Sequence, residues 1–174
     1  LRSLFLGYED LEAETKVIGL FSNESKETIE SGELGQIILE QTPFYAESGG
    51  QVGDTGSIES KNGLFEVLDT QISGDAFIHI GTVTRGSICV GEKVNASINP
   101  IKRKSITKNH TGTHMLHAAL MNVLGDHVQQ RGSLVDDEKI RFDFSHFQAV
   151  SKEEIRQIEV QVNQKIEENI EVET

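Results

Sequence analysis

The pattern of apolar and polar positions changes character once along this chain, at Asn99-Pro100. Before that point it reads as β structure. Thr15–Phe21 (TKVIGLF) and Gly35–Thr42 (GQIILEQT) are short runs rich in strand-forming residues, separated by a polar stretch from Asn23 to Gly32. Gly56–Thr70 (GSIESKNGLFEVLDT) predicts a hairpin, with Asn62-Gly63 supplying the positive φ angles of a two-residue turn. AFIHIGTV (76–83) and EKVNASI (92–98) continue the series. Many short strands with glycine-bearing turns predict a small barrel.

After the change the period is helical. Asn99 is placed to cap a helix, and proline is tolerated at the first helical position because that N–H is unpaired anyway. Ile106, His110, Thr113, His117, Leu120 and Leu124 then recur at helical spacing, and Gly125 ends the run. Two strand candidates follow, HVQQRGSLV (127–135) and KIRFDFSHF (139–147), joined by acidic residues. Ser151 and Glu154 form a capping-box pattern ahead of a second helix, whose apolar stripe is Ile155, Ile158, Val162 and Ile166. The final NIEVET reads as the opening of another strand. The expected fold class is α+β: a β-barrel subdomain over residues 1–98, then an α-β-β-α segment over 99–174. There is no internal repeat and no low-complexity linker.

Bulk composition narrows the function classes. At 174 residues the chain can bury a sizeable core. A formal charge of -12 argues against a general nucleic-acid coat, though a local basic patch remains open. Cys89 is the single cysteine, so no internal disulfide forms, and it reads as a buried, inert thiol suited to a reducing, cytoplasmic compartment. No apolar run approaches membrane length and no signal peptide is visible. The chain starts at Leu1 and stops in a strand-like segment, so a fragment of something longer is expected.

Three features carry candidate chemistry. In NHTGTHMLHAAL (109–120), His110 and His114 stand four residues apart and so share one face of a helix. Two imidazoles there can close on one zinc ion or belong to the packing. Neither alternative fills the four positions that zinc prefers, and a third ligand from the same helix, His117, is geometrically awkward, so His117 reads as packing. His79 reads as structural; His127 opens a strand and His146 closes one, and each either hydrogen-bonds in the core or faces solvent. TPFYAESGGQVGDTG (42–56) is rich in glycine and carries Thr42, Glu47, Gln51 and Asp54; it is either a tight inter-strand loop or one that brings backbone N–H groups and polar side chains to a ligand. It matches no P-loop or dinucleotide fingerprint. Lys102, Arg103, Lys104 and Lys108 form a basic run just before the histidine pair, which is either a solvated helix face or a phosphate contact.

Taken together and in order, TPFYAESGGQVGDTG, NHTGTHMLHAAL, GDHVQQRGSLV and RFDFSHF closely resemble the editing domain of the alanyl-tRNA synthetases, in the bacterial style. The opening FLGYEDLEAETKVIGLF looks like the segment where that domain begins, so the resemblance covers essentially the whole chain. The histidine pattern alone is shared with threonyl-tRNA synthetases and free-standing alanyl editing proteins. The resemblance implies a β-barrel subdomain followed by an α/β editing core that hydrolyses the ester of tRNA(Ala) mischarged with serine or glycine. It implies zinc held by His110 and His114 and by a later Cys-x-x-x-His pair, expected beyond Thr174. Gln130 matches a glutamine implicated in recognising the misacylated substrate. Thr42 matches a threonine suited to the serine hydroxyl, with Glu47 and Gln51 in the same motif. Lys102, Arg103, Lys104 and Lys108 would contact the tRNA. Where relatives often read NHTATHLLH, this chain has Gly112 and Met115.

Such an activity answers a physical need. Serine differs from alanine by one hydroxyl, which a small pocket rejects only about a hundredfold, and glycine is smaller than alanine, so a second hydrolytic site has to remove both products. The parent enzyme would charge tRNA(Ala) with alanine using ATP, although no class II motif or ATP site lies in these residues. The competing readings are a free-standing trans-editing deacylase and a non-catalytic RNA-binding module. A fragment holding two of four ligands is expected to fold, to bind zinc weakly and to be inactive alone.

Overall fold

The computed structural model describes residues 1–170; most of the strand expected in NIEVET falls on 171–174, outside the described residues. The chain divides into two units, Leu1–Lys104 and Ser105–Thr174. The expected boundary at 98/99 precedes the first helix, whereas the observed division falls within that helix's early turns. Among the described residues, no helix is long and apolar enough to cross a membrane.

The first unit is a closed antiparallel barrel of six strands: β1 (Glu12–Ser22), β2 (Leu34–Leu39), β3 (Gly56–Ser60), β4 (Gly63–Ser73), β5 (Ala76–Cys89) and β6 (Lys93–Ile98). The ring runs β6-β3-β4-β5-β2-β1 and closes where β6 pairs back onto β1. Closure removes the exposed sheet edges that would otherwise template pairing with another chain. Inward positions fill the interior with Val17, Leu20, Ile37, Leu39, Ile58, Phe65, Val67, Val83, Val94 and Ala96, all buried. The alternation legible in the sequence is the pleat of these strands. Outside the ring, Thr28–Glu30 pairs with the end of β5, and Leu4–Phe5 lies parallel to Gln41–Thr42.

The β3–β4 hairpin turns differently from the expectation. The two loop residues are Lys61 and Asn62, and neither Asn62 nor Gly63 has a positive φ. The Ser60 hydroxyl closes the turn by accepting the N–H groups of Asn62 and Gly63, both at 3.0 Å. Glycine is needed at 63 for a different reason: a Cβ there would meet the Ser87 carbonyl oxygen of β5 at 2.3 Å.

The second unit combines helix α1 (Pro100–Leu124), which starts in the first unit, with the antiparallel pair β7 (Gln130–Val135) and β8 (Ile140–Phe144), and helix α2 (Lys152–Glu168). Asn99 caps α1, its Oδ1 accepting the N–H groups of Ile101 and Lys102. Ser151 and Glu154 close a reciprocal capping box on α2, as their spacing predicts. Ala119, Leu120, Val128 and Ile158 form the buried centre. The stripe expected on α2 is only partly covered: Ile158 is buried, but Ile155 and Ile166 remain 45% and 55% exposed. His127 and His146, expected at strand ends, lie just outside β7 and β8.

Candidate functional site

In the first unit the candidate residues surround the glycine-rich loop. Its tip is a tight turn: Ser48 and Gln51 exchange backbone hydrogen bonds at 3.0 and 3.1 Å, and Gly49 and Gly50 take φ of 59° and 86° between them. Positive φ at both central positions is what glycine permits without strain. The loop is pinned to β4 by the Glu47 N–H on the Thr70 carbonyl and the Thr70 hydroxyl on the Asp54 carbonyl. Glu47 is exposed, and its carboxylate accepts from the Gln71 amide at 2.6 Å. Gln51 is buried.

Thr42 is fully buried, and its hydroxyl is already engaged. It lies 2.7 Å from His79 Nε2 and accepts the Phe44 N–H at 3.1 Å. His79, also fully buried, places Nδ1 2.9 Å from the Ile37 carbonyl oxygen. A carbonyl can only accept, so Nδ1 carries the proton, Nε2 is the acceptor and the Thr42 hydroxyl donates to it. Burial pushes the His79 pKa down to about 4, so the ring is neutral under ordinary conditions. Thr42 therefore holds the start of the loop against the barrel wall. A ligand hydroxyl would reach it only after this packing opened, which revises the direct contact expected from the sequence.

A second pin corrects another expectation. Arg103, grouped with the phosphate-binding cations, directs its guanidinium inward. Its Nε donates to both Asp54 carboxylate oxygens at 3.0 Å, one terminal nitrogen donates to the Gly7 carbonyl at 2.7 Å, and the other donates to the Pro43 carbonyl and Asp54. Asp54 also accepts the Tyr45 N–H at 2.8 Å. This clamp ties the base of the loop to the N-terminal segment, and its planar fork suits the carboxylate in a way lysine would not. Lys102, Lys104 and Lys108 remain exposed on α1.

In the second unit, the His110 and His114 rings lie on one side of α1, nearly parallel at 15° and 5.2 Å between centroids. Partial burial, followed by the neighbouring His114, lowers the His110 pKa, which favours the neutral imidazole that a metal ion requires. Thr113, between them, turns its hydroxyl back onto the Asn109 carbonyl at 2.9 Å. His117 packs its ring against Phe142 at 5.1 Å, in keeping with a packing role, and its buried Nε2 has no hydrogen-bond partner among the described residues. Gln130 is exposed at the start of β7 and donates its amide to the Ser133 hydroxyl at 3.2 Å. The register slips between Gln130 and Gly132, and such a bulge re-aims a side chain. Outside the strands, His127 Nε2 and His146 Nδ1 meet at 2.8 Å, a contact that the sequence did not signal because nineteen positions separate the two rings.

The residues fit zinc incompletely. His110 and His114 can supply two imidazoles. Among the described residues, no group of three or more His, Cys, Asp or Glu is placed to hold a metal ion.

Comparison with known proteins adds a family and two relatives. The family model of class II (A) tRNA synthetases matches residues 2–102. The chain is 50% identical over 173 residues to the alanine–tRNA ligase of Thermoanaerobacter sp. (strain X514), and equally to that of Thermoanaerobacter pseudethanolicus. Each alignment covers 99% of this chain and 20% of the relative, so the chain spans about a fifth of the length of these curated relatives.

Proposed function

The chain belongs to the class II (A) tRNA synthetase family, and from that premise we propose that it is the editing portion of an alanine–tRNA ligase. Its substrate would be tRNA(Ala) wrongly esterified with serine or glycine, and its reaction hydrolysis of that ester. The parent enzyme would bind alanine, ATP and tRNA(Ala). The observation that supports this reading most directly is the His110–His114 pair on α1, set in a stretch of sequence that resembles the editing domain of the alanyl-tRNA synthetases. An ester is already activated toward water, so no covalent nucleophile is required. Oriented polar groups suffice to hold the water and the developing charge.

The roles follow from accessibility. Gln130 exposes a polar side chain in the second unit and is the group proposed to recognise the aminoacyl moiety, while Glu47, exposed in the first unit, keeps the less definite role that the resemblance gives it. Gln51 and Thr42 shape the loop from within. His110 and His114 would supply two ligands to a zinc ion; since that set is incomplete among the described residues, no step is routed through a metal. Lys102, Lys104 and Lys108 are proposed to meet phosphates of the acceptor end.

The deciding experiment measures deacylation of seryl-tRNA(Ala) and glycyl-tRNA(Ala) by the full-length ligase and its Gln130→Ala variant. The expected result is loss of seryl-tRNA(Ala) hydrolysis with alanine charging retained. Undiminished hydrolysis in Gln130→Ala removes that residue from the site. A full-length ligase that binds tRNA(Ala) but hydrolyses neither ester returns the chain to a non-catalytic RNA-binding role.

A further inference from the structure

Away from the loop, the outer wall of the barrel carries an arrangement that folding alone does not favour. Lys16 on β1 and Lys93 on β6 are directly opposed across the antiparallel ladder. On the other side of β6, Val94 pairs with Ser60 of β3, so Lys61, the next residue, continues the row beside Lys93. Three exposed lysines thus stand side by side across β1, β6 and the turn that follows β3, a row about 10 Å long at the usual strand spacing. All three line one groove of about 530 Å³.

Like charges directly opposite in a sheet are destabilising. Three of the six other cations of the first unit relieve their charge in ion pairs within the fold: Lys26 with Glu33, Arg85 with Glu59 and Arg103 with Asp54. None of the three groove lysines makes an ion pair among the described residues. Two carboxylates of the same face are sorted into a different row, while Glu40, which lines the same groove and donates its N–H to the Lys16 carbonyl, bounds the lysine row at its β1 end. Glu14 and Glu59 both lie opposite Asn95, two residues along β6 from Lys93. A chain with a formal charge of -12 has ample acid to neutralise these lysines, yet the register sets the three lysines beside one another, with Glu40 at one end of the row and Glu14 and Glu59 in the next.

We propose that the Lys16–Lys93–Lys61 row is a binding site for the phosphodiester backbone of tRNA. A linear row without a backbone N–H cradle suits a repeating anion better than a single phosphate ion. The flanking row of glutamates confines the backbone to one line across the barrel. The choice of RNA as the polyanion rests on the synthetase reading above.

The test is binding of a tRNA(Ala) transcript to the chain by fluorescence anisotropy across a salt series. The triple variant Lys16→Gln/Lys61→Gln/Lys93→Gln is compared with Arg2→Gln/Lys26→Gln/Arg85→Gln, which removes the same charge from elsewhere on the same unit. The row variant is expected to reduce the slope of log K against log[salt] by about 2, since each phosphate contact contributes roughly 0.7–0.9. The control variant should leave the slope unchanged, and Glu14→Gln should tighten binding. Equal loss in both triple variants means that binding follows overall charge and overturns the site. So does an unchanged slope in the row variant, or an absence of salt-dependent binding by the parent chain. Hydrolysis of seryl-tRNA(Ala) decides the editing reading separately, because it does not depend on this slope.

Discussion

Replacing Arg103 by methionine tests the clamp on the glycine-rich loop. The Arg103 and Asp54 side chains are 14% and 2% exposed, so the pair sits largely out of water. Arg103→Met leaves the Asp54 carboxylate with the Tyr45 N–H as its described partner and strips a charged donor from the Gly7 and Pro43 carbonyls. Removing one partner of a buried pair costs about 3–5 kcal/mol, because the remaining charge is uncompensated. Carbonyls that lose a donor add about 1 kcal/mol each if water does not reach them. A loss of about 4–6 kcal/mol is expected, depending on whether water reaches the two carbonyls, a large part of the roughly 5–15 kcal/mol that holds a domain together. Asp54→Asn keeps an acceptor for Tyr45 and should cost less, about 2 kcal/mol. The double variant should lose less than the two single losses combined, since each removes the other's unpaired charge. The chain has no tryptophan and two tyrosines, Tyr8 and Tyr45, both in the first unit, so tyrosine fluorescence during urea unfolding reports on that unit alone. If Arg103→Met loses under about 1 kcal/mol, the guanidinium is not what holds the loop, and Arg103 returns to the set of cations available to phosphate.

Three further outcomes are expected. His79 has a folded-state pKa of about 4, below its unfolded value, so its stabilising contribution is fully present above pH 6.5 and is lost as pH falls from there toward 4. The loss is about 3 kcal/mol at most, and urea unfolding of His79→Gln at pH 7 and 4.5 should lack that component. A wild-type chain showing the same pH dependence as His79→Gln would refute the assignment. Gly112 lies inside α1 with open space where a Cβ would go, so Gly112→Ala should stabilise the second unit by about 1 kcal/mol in thermal unfolding; no gain would mean that the helix needs glycine there. Zinc titrated against a chromophoric chelator should bind this chain weakly and be lost in His114→Ala, whereas tight stoichiometric binding would show that two imidazoles are not the whole ligand set.

What this sequence determines by itself is local. The alternation of Val17, Ile37, Ile58, Phe65 and Val94 specifies half-buried strands, because the pleat has a period of two. Asn99-Pro100 and Ser151–Glu154 specify helix starts, because a cap needs only residues within three positions. The shared helical face of His110 and His114 follows from the 3.6-residue turn. Tertiary structure decides whatever depends on partners distant in the chain. Asp54 and Arg103, forty-nine residues apart, become a clamp only when the loop, the N-terminal segment and α1 converge. Thr42, legible as a polar residue in a promising loop, is sealed against His79 because the pairing of β2 with β5 brings that ring behind it. Lys16, Lys61 and Lys93 are isolated in the sequence, and only the registers of β1, β3 and β6 set them side by side. The physical reason is common to all three: periodicity and capping act within a turn or two of the backbone, whereas the environment of a charge or hydroxyl is set by which strands the closed ring makes neighbours.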